Sequence, residues 1–256
     1  MLRLQYGELA VGVADTPEEL GEAAVDVFER AVTQALLEAD EITVIMSLGA
    51  AQGPLFSSLK SRTSIEWSRI NVLHVDVYMG VPDKDPRSGG ARMRRHLTDI
   101  VAPKAFYAMQ GDTQPVEAEL ERYAELYERL QPCVCVVGIG ETGHLAFIDP
   151  PADFTTNSIM VAVALAEGTR HQIAKAGIFD SIEEVPRYGL SLTIPALIAP
   201  KTIIALADEA AKAPIMKEVL EGPVSIMCPA SILQTKVGAA MFLSREAAGE
   251  LEALRA

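Results

Sequence analysis

Aromatic side chains are scarce in this chain: tryptophan occurs once, at Trp67, and the three ring types make up 5% of 256 residues. Proteins that hold single-stranded nucleic acid by base stacking need exposed rings, so that class is excluded. Positive charge is also in short supply. Lys and Arg number 22 against 35 Asp and Glu, a net charge of −13 that repels phosphate backbones. No nucleic-acid partner is expected, and any phosphate must be gripped locally by backbone amides or a few placed cations. The three cysteines, Cys133, Cys135 and Cys228, lack CxxC spacing and give neither a disulfide framework nor a zinc signature. Cys133 and Cys135 stand two apart in an apolar run, which predicts buried reduced thiols on one face of a strand. The four histidines do not fall at ligand spacing, so no metal is expected. No apolar stretch reaches the roughly 18–20 residues of a membrane span. The segment Met1–Tyr6 lacks the apolar core and cleavage site of a leader peptide. No membrane partner and a cytoplasmic location are the expectations.

What is present is a globular composition, 49% hydrophobic and 22% charged. Thr16, Pro17 and Glu19 form a helix-start signature, and Ala23, Val27, Ala31 and Ala35 continue it as a stripe, predicting a helix over 17–39. The β-branched run Ile42–Met46 reads as a buried parallel strand. Further strands are predicted at 70–75, 106–109, 134–137, 159–165, 190–194, 203–207 and 239–243. Helices are predicted at 116–130, 210–221 and 245–254. Alternation of this kind implies an α/β fold, Rossmann-like, with a mostly parallel sheet flanked by helices on both faces. No linker or composition break divides residues 1–256, so a single domain is expected.

Parallel sheets carry their functional loops at the carboxyl ends of strands, and three such loops are unusual here. The first, Ser47–Pro54, is built from small residues. Gly49, Ala50, Ala51 and Gln52 allow backbone amides to approach an anion, although this loop has neither a Walker lysine nor GxGxxG. The second, His74–Gly80, places Asp76 at the end of an apolar strand, where packing gives a carboxylate no reason to be. Alternation sets His74 and Asp76 on one face and Val75 and Val77 on the other, and Asp76 reads as a general base. Residues 82–90 after it predict a mobile surface loop, and Arg92, Arg94, Arg95 and His96 predict a solvated basic face. The third loop, Gly138–Pro150, carries Gly140, Thr142 and His144 within a glycine-rich turn and closes on Asp149. A histidine so held, with a carboxylate five residues on, suits proton transfer near neutral pH.

Together these loops resemble the glucosamine-6-phosphate deaminase family, whose fold group includes 6-phosphogluconolactonases. Gly138–Pro150 is similar to that family's GxGxxGHxAFNEP, without the Thr-Ala-Ser-Leu-Phe that follows the histidine in lactonases. Val75–Pro82 resembles MDEYVGLP, Phe179–Pro186 with Tyr188 resembles FxxxxxVPxYAxT, and Pro229–Gln234 matches PASxLQ. The likeness runs from about residue 17 to 247. It implies aldose–ketose isomerisation of a sugar phosphate with loss of ammonia, without a cofactor, in a chain that can form a homo-oligomer. Asp76 would shuttle a proton between C2 and C1, and His144, oriented by Asp149 and Thr142, would assist ring opening. The first loop, Gly140, Lys175 and Lys212 would hold substrate and phosphate, with Arg170 an alternative to Lys175. Six positions depart from the pattern. Thr142 replaces an acid, Val77 and Asp149 each replace Glu, and Ala50–Gln52 replace hydroxyl donors and glycines. Two other readings therefore stand beside the deaminase, a catalytically silent sugar-phosphate-binding protein and a lactonase-like hydrolase.

Overall fold

The computed structural model describes residues 1–254, apart from the side chain of Ala50. The chain opens with a hairpin, β1 (Leu2–Tyr6) and β2 (Leu9–Ala14), turned at Gly7. Helix α1 (Pro17–Leu36) follows, with Thr16 Oγ1 accepting from the Glu19 amide as the capping signature predicts. Next come β3 (Ile42–Met46), α2 (Gly53–Ser61), β4 (Ile70–His74) and the short β5 (Asp76–Tyr78). Helices α3 (Gly89–Met93) and α4 (Asp99–Val101) are joined by a π-turn over Arg94–Thr98. Then follow β6 (Ala105–Tyr107), α5 (Val116–Leu130), β7 (Val134–Gly138), β8 (Met160–Ala164) and α6 (Glu167–Lys175). The last third holds β9 (Tyr188–Leu192), α7 (Ile194–Ile198), β10 (Thr202–Ala207), α8 (Ala213–Glu221) and β11 (Ala239–Ser244).

Eight strands form one sheet in the order β1-β2-β11-β10-β7-β3-β4-β6. Every pairing from β2 to β6 is parallel, and only β1 runs antiparallel at the edge. Alternate residues feed opposite faces, as the period of a strand requires. Ile45, Leu73, Cys135, Ala205 and Met241 pack towards α5 and α8. Val44, Val72, Val136, Ile204 and Phe242 pack towards α1 and α2. The result is the mixed α/β architecture expected, with helices on both faces.

Several expectations need correction. Cys133 precedes β7 and packs, half-buried, on the α1 side, whereas Cys135 is buried on the other; both are free thiols, but they do not share a face. Residues 245–254 form turns and a short 3₁₀ segment, not a helix. The hairpin β1–β2 and the three-stranded antiparallel sheet β5-β9-β8 were not predicted. The main-sheet strand stops at His74, and Asp76 begins β5, opposite Ser191 of β9.

The chain's crossovers place β7 beside β3, so connections leave these neighbours in opposite directions. That is where loops part and a crevice opens in an open α/β sheet. Among the described residues no helix is long and apolar enough to cross a membrane.

Candidate active site

A cavity of about 420 Å³ occupies this crevice. It is bounded by the loops after β3, β4, β7 and β10 and roofed in part by α6. Asp76, His144, Gly49, Ala51, Gln52, Gly140, Lys175 and Lys212 all line it. Thr142 and Asp149 stand behind His144. Of Ala50, only its place in the turn after β3 is described.

His144 is held by a short polar relay. Its Nδ1 lies 2.9 Å from Thr142 Oγ1 and 3.2 Å from Asp149 Oδ1. Thr142 Oγ1 donates to Asp149 at 2.8 Å. A threonine hydroxyl has one proton. Because that proton goes to the carboxylate, the Nδ1 contact must be a donation from the ring. The proton therefore sits on Nδ1, and Nε2 carries the lone pair. Thr169 Oγ1 supports the same carboxylate, 2.9 Å from both oxygens, and the Ala166 amide donates to Oδ2 at 3.3 Å. Burial alone would raise the Asp149 carboxyl; the bonds from His144, Thr142 and Thr169 outweigh it and hold the group below its ordinary value. Gly140 makes this arrangement possible. A Cβ there would lie 2.0 Å from His144 Nε2 and Cε1, so only glycine lets the ring lie flat on the turn.

Asp76 is fixed from the other side of the crevice. The Tyr123 hydroxyl accepts from the His74 amide at 2.7 Å, and its proton lies between the carbonyls of His74 (2.8 Å) and Tyr107 (3.0 Å). That clamp ends β4, and pairing with β9 then sets Asp76. Its carboxyl lines the cavity. Burial pushes it up to about 7, against the pull of the Arg92 guanidinium. His74, beneath it, is buried and lowered to about 4 by burial and by Arg92, so it is neutral; its Nδ1 has no hydrogen-bond partner.

The turn after β3 is braced from within. Gln52 is buried, its Oε1 accepts from the Gly49 amide at 2.8 Å, and its Nε2 donates to Ser47 Oγ at 2.9 Å. The Gln52 amide is itself turned onto the Gly49 carbonyl. Gly49 and Gln52 thus shape the turn and keep their donors for it. Lys212 is 3% exposed; its backbone amide donates to the Glu209 carbonyl, while its ammonium makes no hydrogen bond or ion pair among the described residues and acts only at longer range on Asp208. Lys175 is exposed at the rim. Arg170 is committed elsewhere, donating to the carbonyls of Ile182 and Val185. No group of three or more His, Cys, Asp or Glu among the described residues could hold a metal ion.

Residues 15–242 match the family model described as glucosamine-6-phosphate isomerases/6-phosphogluconolactonase. The chain belongs to that family. It is 30% identical over 240 residues to a glucosamine-6-phosphate deaminase of Lactobacillus delbrueckii subsp. bulgaricus, covering 94% of this chain and 98% of the relative. A Bacillus thuringiensis glucosamine-6-phosphate deaminase is 29% identical over 235 residues, covering 92% and 86%. The structure of a monomeric glucosamine-6-phosphate deaminase aligns with a TM-score of 0.85 at 26% identity, covering 94% of this chain and 99% of that one. A Thermotoga maritima 6-phosphogluconolactonase shares the fold, with a TM-score of 0.72 at 18% identity, covering 92% and 99%.

Within this isomerase/lactonase family member, two features of the cavity escaped the sequence. Thr169 sits on α6, and no motif marks it. Arg92, expected on a solvated face, is half-buried and lines the cavity near Asp76 and Tyr78. The segment 82–90 is not free either. Arg94 pairs with Asp83 at 2.8 Å, Ser88 Oγ donates to the Asp83 carbonyl at 2.8 Å, and Arg87 reaches Asp85 and Glu184.

Proposed function

We propose that this enzyme opens glucosamine 6-phosphate, or a closely related hexose 6-phosphate, and converts it to the ketose with release of ammonia. One observation supports this reading above the others. A carboxyl with its pKa near neutrality and an imidazole with a bare ring nitrogen share a cavity with a buried, unpaired ammonium. Lys212 holds the phosphate, with Lys175 at the rim and the remaining amides of the turn after β3. His144 Nε2 takes the proton of the O1 hydroxyl and returns it to the ring oxygen, opening the pyranose. Asp76 then removes the C2 proton and delivers it to C1, while the C2 nitrogen lone pair closes to C=N and an N–H proton passes to O1. The resulting C2 imine adds water and expels ammonia. Thr142 cannot lend charge to an imidazolium, and Asp149, at 3.2 Å, lends it instead.

Purified protein given glucosamine 6-phosphate is expected to release ammonia in step with ketose phosphate. Absence of ammonia from both the native protein and Asp76→Asn removes this reading. Hydrolysis of 6-phosphogluconolactone would favour a lactonase, and ligand-dependent melting shifts without turnover would favour a silent binder. Lys212→Met deletes one charge-assisted contact to phosphate, of about 1.5–3 kcal/mol, so KM is expected to rise roughly 10- to 150-fold with kcat little changed. An unchanged KM would place the phosphate elsewhere.

The double variant Thr142→Val, Thr169→Val leaves Asp149 short of its hydroxyl donors. Activity is expected to fall about 10- to 100-fold, by analogy with groups that orient metal-ligating histidines. Steady-state rates at saturating substrate check this, and full activity would show the hydroxyls to be dispensable.

A further inference from the structure

Four positively ionisable side chains, Arg92, Arg94, Arg95 and His96, crowd α3 and the π-turn that follows it, and the fold treats them differently. Arg94 is spent on Asp83 and lies over the Phe106 ring, 5.4 Å from its centroid. Arg95 reaches the Pro86 carbonyl at 3.4 Å and is exposed, as is His96. Arg92 is half-buried and lines the cavity; its backbone amide donates to the Ser88 carbonyl, while its guanidinium makes no hydrogen bond or ion pair among the described residues and feels the charge of Asp76 and Tyr78. A guanidinium offers five N–H donors in a planar fork, and shielding it from water without a partner is costly. Its backbone is held nonetheless. Ser88 caps α3 through the Ala91 amide at 3.0 Å, and Gly89 lies so close to His74 that a Cβ would come within 2.2 Å of the ring.

The sheet order fixes where this charge sits relative to Lys212. Arg92 belongs to the β4 side and Lys212 to β10, with β7 and β3 between them. Three strand spacings separate their parent strands by about 14 Å. The cavity therefore has a cation on each flank, with His144 between them and Asp76 on the Arg92 side.

We propose that Arg92 is a second anion-recognition group, which holds the oxyanion that forms on O1 at the end of the sugar remote from the phosphate. This rests on the reaction proposed above. When the Asp76 carboxylate takes the C2 proton, the C2–H electron pair becomes the C1–C2 double bond. The C1 carbonyl pair moves onto O1, and the guanidinium faces that charge. When the proton reaches C1, the C1–C2 pair forms the new C–H bond and the nitrogen lone pair closes to C2=N. An N–H proton passes to O1, leaving a C1 hydroxyl and a C2 imine. A donor placed where charge develops contributes more to the transition state than to substrate binding. The same group is expected to prefer any sugar phosphate with a carboxylate at C1 over one with a neutral alcohol there.

Calorimetric titration of two probes tests this without turnover: 6-phosphogluconate, with a C1 carboxylate, and glucitol 6-phosphate, with a C1 alcohol. The native protein is expected to bind the carboxylate at least about tenfold more tightly, within the range of charge-assisted bonds. Arg92→Met is expected to bind both alike, with the glucitol Kd within about twofold of native, and Arg92→Lys to recover part of the preference. In the ammonia assay Arg92→Met is expected to lose about 10²–10³-fold in kcat with KM nearly constant, and its acidic limb is expected to move to higher pH. A preference retained in Arg92→Met, absent in the native protein, or lost together with glucitol binding overturns the assignment. Native protein that shows the preference but releases no ammonia overturns the proposed reaction and leaves the recognition group standing.

Discussion

Asp76→Asn is expected to lower ammonia release by about 10³-fold, within the contribution of a positioned general base, and at the same time to make the protein harder to unfold at pH 8. The two effects share one cause. The carboxyl is raised from an ordinary value of 3.8 to about 7 by burial, so the folded protein binds a proton that the unfolded chain has released. Stability from this group is complete below about pH 4 and declines as pH rises through about 7. Above 7 the ionised group carries its full desolvation cost. At about 1.4 kcal/mol per pKa unit, the cost is on the order of 4 kcal/mol. An amide carries no such charge. Thermal melts are therefore expected to show Asp76→Asn several degrees above the native protein at pH 8, about 2–4 °C per kcal/mol at this size, and level with it at pH 4. The native pH–rate profile is expected to rise through about 7, since only the carboxylate can accept the C2 proton. An acidic limb near pH 4 would show that Asp76 ionises as an ordinary surface acid.

Gly140→Ala is expected to cost about as much activity while leaving the fold standing. Gly140 does not have a positive φ, so alanine meets no backbone strain there. Its methyl would instead overlap the imidazole of His144, whose nearest atoms lie 2.0 Å from the added carbon. A side chain can turn away where a backbone cannot, so the ring swings off the turn and leaves Thr142 and Asp149. A misplacement of about 1 Å already costs about 10²-fold, and loss of the oriented ring removes acid–base catalysis worth up to about 10⁴-fold. The ammonia assay is expected to show a loss of about 10³-fold, with circular dichroism unchanged. The melting temperature should fall modestly, because Asp149 loses a partner worth about 1–3 kcal/mol. Activity within tenfold of native would mean that the ring does not need its seat on Gly140.

Much of this site could be read before the fold was known, for a physical reason. Asp76 and His144 are polar residues at the ends of apolar strands, where packing gives them no role. Gly140 and Gly143 surround His144 with turn chemistry that neither a helix nor a strand requires. Lys212 came from family likeness alone. Other parts were not legible. Arg92 sits among three other basic residues on a short helix, and nothing local says which of them turns inward; that depends on Gly89 packing on His74, a contact between segments. Thr169 reaches Asp149 across 20 positions. Gln52 was expected to face an anion, but its amide is buried and matched internally by Gly49 and Ser47. The break after His74 escaped because Val75–Tyr78 keeps the alternation of β4 while changing partners, and alternation records which face a residue takes, not which sheet it joins.

That change of partners has a mechanical outcome. Asp76 is carried by β5, tied to β9 through Ser191, while His144 rides on the turn after β7 of the large sheet. Ser191 also accepts the Phe147 amide at 3.2 Å, so one serine stitches both supports together. The placing of proton acceptor against ring opener is thus set by how two sheets meet at this seam. Substitutions on the outer strand β8, which pairs with β9, are therefore expected to change turnover while every group that meets the ligand stays in place.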